Sequence, residues 1–237
     1  MRKRSKNYQE ASKAIDLSKA YSLEEAINLL KELPAAKFDE TVELHLRTNA
    51  DPRQADQMMR GVSMLPNGLG KTIQVLVFAN GEAGTIAEGA GADYVGDDDL
   101  INKIEGGWVD FDVSLATPNM MSKIGRLGRV LGRRGLMPNP RTGTVVQAQD
   151  LPRAIEEAKQ GRVEYRMDRT ALIHVPVGKI SFSQEQLLGN IASMVDAVVK
   201  SRPAGIKGNL VKTAYLTSTM GPSIKLDINA LISVKVE

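Results

Sequence analysis

The sequence contains no cysteine among its 237 residues. This absence excludes disulfide scaffolds, thiolate zinc sites, iron–sulfur clusters and cysteine nucleophiles. The only two histidines, His45 and His174, belong to no histidine–carboxylate pattern with metal-ligand spacing, so we expect no metal centre. No serine lies in a Gly-x-Ser-x-Gly motif either. With no residue set to carry catalysis, we expect a protein that is not an enzyme.

Long apolar runs and aromatic side chains are also scarce. No apolar run approaches the roughly 20 residues that span a bilayer, so we expect no membrane partner. Residues 1–6 are basic but lead into no apolar stretch, so we expect no signal peptide. Aromatic residues make up 4% of the chain, too few for a stacking platform along single-stranded nucleic acid. A structured RNA, recognised by its shape and 2′-hydroxyls, fits this composition better.

Basic residues are unevenly distributed, although the net charge is only +3. Residues 1–19 contain six basic and two acidic side chains, and residues 113–149 contain six basic side chains and no acidic one. Residues 93–112 contain seven acidic side chains and one basic one. Such segregation indicates a polyanion partner, although solvated loops and tails would give the same pattern. We expect the basic N-terminal arm to fray unless a partner orders it.

Both ends of the chain show helical periodicity and strand-like alternation. Ser22 and Glu25 predict a capping box at the start of a helix that ends at Pro34. The alternation of polar and apolar residues over 41–47 predicts a half-buried strand. Ser183 similarly opens a long helix.

Further elements are predicted on either side of these. Asp51-Pro52 predicts the start of a short helix that ends at Gly61. A hairpin around the turn at 168–170 and a second pair of strands are predicted from residues 162–167, 171–177, 210–217 and 223–228.

The middle of the chain has a different pattern. Residues 73–79 form a nearly continuous apolar run, which is typical of a central strand in a parallel sheet. A helix–strand unit near 85–96, a helix near 98–105 and a strand near 111–116 follow.

These patterns predict two domains of mixed α/β and α+β class. Residues 1–67 and 161–237 form domain one, a two-layer α+β fold built from both chain ends, and residues 68–160 form domain two, an inserted Rossmann-like parallel α/β unit. We expect Gly68, Gly70 and Gly161 to form the hinge between the two domains.

Two glycine-rich stretches do not match nucleotide-binding motifs. Gly68 to Thr72 lacks the glycine that a phosphate-binding loop requires at position 65, which is leucine, and a strand follows it where a helix is required. Gly125, Gly128, Gly132 and Gly135 do not have dinucleotide-binding spacing, so we expect no cofactor. Their interleaved arginines predict a basic loop region that approaches a polyanion, or else a flexible surface loop.

Residues 37–43 combine groups that suit RNA. Lys37 can pair with a phosphate, and Thr41 can reach a ribose hydroxyl from the polar face of its strand. The acidic Asp39, Glu40 and Glu43 would repel a backbone unless they accept hydrogen bonds from hydroxyls or base amines. Phe38 lies between Lys37 and Thr41, and a phenylalanine is more often buried in the core than exposed to a ligand.

Nine short stretches, spread over nearly the whole chain, resemble a known family. They are Lys37 to Glu43, Asp51-Pro52-Arg53, Arg60-Gly61, Leu65 to Lys71, Gly91 to Gly96, Leu136 to Pro140, Gly143-Thr144-Val145, Pro176 to Lys179 and Thr217 to Ser223. On these residues the sequence resembles the bacterial form of the L-one family of large-subunit ribosomal proteins. The Met-Pro-Asn-Pro and Thr-Met-Gly-Pro stretches are the most specific.

The resemblance implies both a fold and a function. Family members have domain one built from both chain ends and domain two inserted. Domain one binds large-subunit ribosomal RNA and forms the mobile stalk beside the exit site for tRNA, from which deacylated tRNA is released. Many bacterial members also bind their own operon messenger RNA and repress its translation. Other ribosomal components and a cytoplasmic location are implied as well.

The resemblance also implies a set of RNA contacts. At two positions in or beside this set, the sequence differs from most relatives. The implied contacts are Lys37, Phe38, Glu40, Thr41, Asp168, Arg169, Thr170, Thr217, Thr219, Met220 and Gly221. Arg169 stands where relatives usually have lysine, and Ala171 stands where many have glycine.

Two other functions are compatible with parts of the sequence. An RNA-binding translational regulator acting mainly off the ribosome would use the same contacts. A nucleotide-dependent enzyme built on domain two would require the phosphate-binding loop that the sequence lacks.

Overall fold

The computed structural model describes residues 5–33 and 36–234. The helices and strands are, in chain order, α1 Lys6–Lys13, α2 Leu23–Glu32, β1 Thr41–Thr48, β2 Arg60–Met64, β3 Val75–Phe78, α3 Glu82–Gly89, β4 Tyr94–Gly96, α4 Asp98–Glu105, β5 Val113–Ala116, α5 Met121–Ile124, α6 Gly128–Arg134, α7 Leu151–Gln160, β6 Arg162–Arg166, β7 Leu172–Lys179, α8 Gln184–Lys200, β8 Val211–Ser218, β9 Ile224–Leu226 and α9 Ile228–Ser233. None of these helices is long and apolar enough to cross a membrane.

The chain divides into two compact units. The described residues up to Gly70 and from Val163 onward form one unit, and Lys71–Arg162 forms the other. We call them the outer unit and the inserted unit. The boundaries expected near residues 68 and 161 lie close to these two positions.

The outer unit contains a four-stranded antiparallel sheet, and helices α2 and α8 pack on one face of it. Its strand order is β7-β1-β8-β9. Val42, Leu44 and Leu46 of β1 are buried, so the predicted alternation places them in the core against α2 and α8. The other face of β1 carries Glu43 and His45.

Local hydrogen bonds explain where the two helices of this layer begin. Ser22 accepts a hydrogen bond from the backbone of Glu25, whose carboxylate accepts one in return. Ser183 and Gln186 make the same reciprocal pair at the start of α8. Both predicted capping boxes are confirmed, whereas Pro34 lies outside the described residues.

The short helix predicted after Asp51-Pro52 is wrong. Only a single 3₁₀ turn forms, at Ala55–Gln57, and Gly61 lies inside strand β2. A Cβ at position 61 would overlap the phenol group of Tyr165, which is buried in the core. This glycine is therefore required by close packing and does not end a helix.

The hairpin predicted around residues 168–170 is also wrong. Strand β6 pairs with β2 in a separate two-stranded sheet, while β7 pairs with β1. A single bridge between Met167 and Ile173 links the two segments that flank the turn. The turn thus connects two sheets, and the edge of β7 that does not face β1 keeps only this bridge.

The inserted unit has a parallel three-stranded sheet of order β4-β3-β5. Every residue of β3 is buried. Leu76 and Phe78 face a cluster that includes α4, while Val75 and Val77 face a cluster that includes α3 and α7. The Rossmann-like interpretation of this segment agrees with the three-layer arrangement.

Two segments expected to be irregular are helical. The glycine- and arginine-rich stretch after residue 124 forms a 3₁₀ turn and then α6, because Leu127 and Leu131 supply a buried face that anchors it. In the N-terminal arm, Ser5 caps α1, and Ala11 and Ile15 are buried. The arm's basic residues 2–4 lie outside the described residues.

Candidate nucleic-acid interface

The segments around Lys37–Thr41 and Thr217–Gly221 meet at one end of the sheet. They do so because β1 and β8 are antiparallel, which places the start of β1 beside the end of β8. The backbone N–H of Thr219 donates to the carbonyl of Thr41 at 3.1 Å. The Thr219 hydroxyl accepts from the N–H of Thr41 at 3.1 Å and lies 3.3 Å from its carbonyl. We call this group of residues the β1 start site.

Glu40 holds the β1 start site together from inside. Its side chain is 2% exposed, and its two carboxylate oxygens accept from the backbone N–H groups of Ala36 at 2.7 Å and Met220 at 2.8 Å. Burial acts to raise the pKa of Glu40, but these two N–H groups and the Ser218 hydroxyl outweigh it and hold the pKa below its ordinary value. This buried carboxylate therefore positions the turn, and the direct contact of Glu40 with RNA stays a prediction.

Two large apolar side chains project from this site. Phe38 is 53% exposed and Met220 is 63% exposed. Phe38 therefore does not take the core position that is commoner for phenylalanine. Lys37 is exposed beside it. Together they offer apolar area for a base or ribose next to a cation for a phosphate.

Lys179 is a polar member of this site that the predicted set omitted. Its ammonium group donates to the Thr41 hydroxyl at 2.9 Å, since Lys179 pairs with Thr41 across β7 and β1. Lys179 belongs to one of the stretches that resemble the family, and that was its only sequence signal. Asp39 accepts from the hydroxyl and N–H of Ser181 at 2.8 and 3.2 Å, which fixes the loop before β1.

Gly221 is required by the turn itself. Its N–H donates to the Ser218 hydroxyl at 3.2 Å, and a Cβ at position 221 would overlap that same oxygen. The Thr217 hydroxyl donates to the Ser218 carbonyl at 3.0 Å. A groove of about 570 Å³ runs past Thr217, Thr219 and Gly221 towards Tyr8 of α1.

The turn at Asp168–Thr170 lies at the other end of β1. Leu172, just after the turn, pairs with Arg47, whereas Lys179 at the far end of β7 pairs with Thr41. Six residue steps along an antiparallel strand correspond to about 20 Å. The structure thus separates the predicted contacts into two groups, and a single RNA would have to reach both.

Asp168 organises this second turn. One carboxylate oxygen accepts from the N–H groups of Thr170 and Leu172, both at 2.8 Å, and the Thr170 hydroxyl also donates to the carboxylate. Partial burial acts to raise the pKa of Asp168, but these donors and His174 outweigh it and lower the pKa. The side chain of Arg169, which lies between Asp168 and Thr170 in the turn, is exposed.

Ala171 adopts a conformation that glycine would adopt without strain. Its φ is 63°, the only positive value at a residue other than glycine among residues 5–33 and 36–234. Alanine at position 171, where many relatives have glycine, therefore adopts the left-handed conformation. This lowers the free energy of unfolding by about 1 kcal/mol, as is typical of a left-handed residue other than glycine. The Ala171 carbonyl accepts from the N–H of Thr48 at 2.8 Å, which anchors the turn to β1.

The two histidines meet on the polar face between these two groups. His45 and His174 face each other across β1 and β7, and their Nδ1 atoms are 2.8 Å apart. One ring must donate and the other accept, so the pair carries at most one positive charge in this arrangement. Burial lowers the pKa of His45, the neighbouring His174 lowers it further, and Glu43 opposes both. No group of three or more potential metal ligands occurs in the described part of the chain.

The predicted hinge glycines have backbone angles that favour glycine. The φ values of Gly68, Gly70 and Gly161 are 63°, 68° and 116°. Gly161 ends α7, and a side chain on Gly70 would collide with Phe182. Their role as a hinge stays a prediction.

Comparison with known proteins identifies the family. The model of the ribosomal protein L1p/L10e family matches residues 30–222. The large ribosomal subunit protein uL1 of Dehalococcoides mccartyi strain BAV1 is 57% identical over 226 residues, which cover 95% of each chain. The protein of the same name from strain 195 is 56% identical over 228 residues, 96% of each chain. The chain therefore belongs to the ribosomal protein L1p/L10e family.

Proposed function

We propose that this chain is a structural constituent of the large ribosomal subunit and binds large-subunit ribosomal RNA through its outer unit. The observation that carries the proposal is the β1 start site, where exposed Lys37 and Phe38 precede β1 and exposed Met220 lies in the hydrogen-bonded turn beside it. The relatives described above carry the name of a large-subunit protein, which supports the same assignment.

Binding at this site would proceed with little rearrangement. Glu40 and Thr219 already fix the turn, so less ordering is required when RNA binds. Lys37 and Arg169 would contact phosphates, while the hydroxyls of Thr41 and Thr217 would meet ribose 2′-hydroxyls. The mechanism is binding without turnover, and we propose no enzymatic role.

We propose three finer roles on the strength of the family resemblance. The bound RNA and this chain would form the mobile stalk at the tRNA exit site and assist the release of deacylated tRNA. The same surface would bind a similar fold in the chain's own operon messenger RNA and repress translation. The working location would be the cytoplasmic ribosome, in contact with other ribosomal components.

The first test compares a site variant with a matched surface variant. Lys37→Ala should weaken binding to purified large-subunit ribosomal RNA and flatten the slope of log affinity against log salt by about 0.7–0.9, as expected for one phosphate contact. Lys200→Ala, an exposed lysine at the end of α8, should change neither. Equal behaviour of both variants would remove Lys37 from the interface.

Crosslinking in cells, followed by sequencing of the bound RNA, would separate the ribosomal role from the regulatory one. Reads from one large-subunit region support the structural role, and additional reads from the chain's own messenger RNA support repression. Reads from messenger RNA alone, together with absence of the chain from sedimented large subunits, would favour a regulator acting off the ribosome.

A deletion tests the proposed domain roles. Replacing residues 71–162 with a short Gly/Ser linker should leave an outer unit that folds and binds the same RNA, because its core lies within residues 5–33, 36–70 and 163–234. A folded product that does not bind RNA would show that the inserted unit carries part of the interface.

A further inference from the structure

A cleft in the outer unit lies next to the Asp168–Thr170 turn and is lined by three arginines. It has a volume of about 540 Å³ and is formed by the loop after β1 and by the end of β6. Arg53 lies in the loop, Arg166 ends β6, and Arg169 lies in the turn. Only Arg169 belongs to the predicted RNA contacts, and Arg53 is remote in the chain from the other two arginines.

The charge of these arginines is not neutralised. Within the described ranges, the guanidinium groups of Arg53, Arg166 and Arg169 have no hydrogen-bond or ion-pair partner. Asp168 is the acidic residue in the lining, and its carboxylate is occupied by the turn. Glu164 precedes Arg166 on the same face of β6, but it pairs with Arg60 at 2.6 Å.

The floor of the cleft is apolar. Pro52 and Met58 are partly exposed and line the cleft, and Met167, which is 1% exposed, closes it from the side of the core. A small inorganic anion would use the guanidinium groups and leave this apolar surface in water. The volume lies within the range of about 300–1,000 Å³ that is typical of sites for small organic molecules. A ligand with an apolar flat part and an adjacent anionic part fits both features.

We propose that this cleft receives an unpaired nucleotide of the bound RNA. Its base would lie on Pro52 and Met58, and Arg53 and Arg166 would contact the flanking phosphates. Arg169 connects the cleft to the turn, so the cleft extends the interface already proposed. The inference rests on RNA binding by the outer unit and specifies a structural feature of that RNA, namely an unpaired or bulged position.

The test uses the full chain, with purified large-subunit ribosomal RNA as the probe. The double variant Arg53→Gln/Arg166→Gln should lose about tenfold or more in affinity at 0.15 M salt, with a log–log salt slope lower by about 1.4–1.8, since two phosphate contacts are removed. Arg153→Gln, an exposed arginine on α7 of the inserted unit, is the matched control and should behave as the unmodified chain. Both side chains of the double variant are exposed and unpaired, so its melting temperature should not change.

Base-specific chemical probing of the same RNA tests the apolar half of the cleft. The unmodified chain should protect one unpaired base more than tenfold, and the double variant should leave that base reactive. Unchanged affinity and slope in the double variant, or a lowered slope with no base protected by the unmodified chain, would overturn the proposal. The failure of the proposed function is distinct, because the unmodified chain would then not bind this RNA at all.

Discussion

A turn with predicted RNA contacts lies at each end of strand β1, and the two turns are held by different kinds of hydrogen bond. At the start of β1, the turn at 219–221 is held by Thr41 and Glu40, which lie about 180 residues earlier in the chain. At the other end, Asp168 accepts from Thr170 and Leu172, within four residues of itself. The first site depends on the assembled sheet, whereas the second is largely local. Disturbing the sheet should therefore damage the first site more.

Replacement of Glu40 should have the largest effect. Glu40→Ala removes a buried carboxylate and leaves the part-buried N–H groups of Met220 and Ala36 without their acceptor. We therefore expect a loss of about 2–4 kcal/mol in the free energy of unfolding, together with weaker RNA binding. Urea unfolding measures the first effect and filter binding the second.

Asp168→Asn is the comparison at the other end of β1. The amide keeps one acceptor oxygen for the local turn, so the loss should be closer to 1 kcal/mol. Equal losses in the two variants would contradict the proposed difference between a long-range and a local site.

Gly221→Ala should have the next largest effect, and on stability as well as on binding. The new methyl group would overlap the Ser218 hydroxyl, so we expect a loss of about 1–3 kcal/mol from overpacking. Removing that hydroxyl in Ser218→Ala/Gly221→Ala should recover part of the loss. If the single variant melts normally and only binds RNA poorly, then the glycine serves the RNA and not the turn.

The histidine pair between the two ends should produce a pH dependence. The pKa of His45 is lowered in the folded chain, so the unfolded chain binds more protons as the pH falls below about 6.5, the ordinary value for histidine. Stability should therefore be full at neutral pH and fall as the pH is lowered through this region. Urea midpoints at pH 7.5, 6.5 and 5.5 measure it.

The matched variant is His45→Gln, which removes the titrating ring. Its midpoints should fall less between pH 7.5 and 5.5 than those of the unmodified chain. An identical pH dependence in both proteins would show that His45 is not responsible. The carboxylates Glu40 and Asp168 also have lowered pKa values, but their contribution to stability is lost only below about pH 4.5. The pH range of the histidine effect is therefore separate from that of the carboxylates.

Ala171→Gly should have the smallest effect, and in the opposite direction. Glycine relieves the positive φ of 63° at the second turn, so we expect a gain of about 0.5–1 kcal/mol in the free energy of unfolding. Thermal unfolding of this variant, with Ala148→Gly as a control at a residue without a positive φ, gives the comparison. A loss of stability would show that the alanine methyl group contributes more by packing than its backbone costs.

Much of the fold could be predicted from local patterns. The capping boxes at Ser22 and Ser183 and the alternation along β1 involve residues only a few positions apart, so their hydrogen bonds and spacing are visible in the sequence. The prediction failed where a distant partner decides the structure. Gly61 lies in a strand because Tyr165 packs on it, and β6 pairs with β2 in place of its neighbour in sequence.

The candidate site divides in the same way. By itself, the sequence indicated that Lys37 and Thr41 suit RNA, because their side chains carry the required groups whatever the fold. The family resemblance added Arg169 and the other threonines as predicted contacts. Only the tertiary structure decided that Glu40 is buried beneath the turn and that Arg53 and Arg166 line one cleft. The physical reason is that side-chain chemistry is a property of each residue, whereas burial and proximity arise from contacts between residues that are remote in the chain.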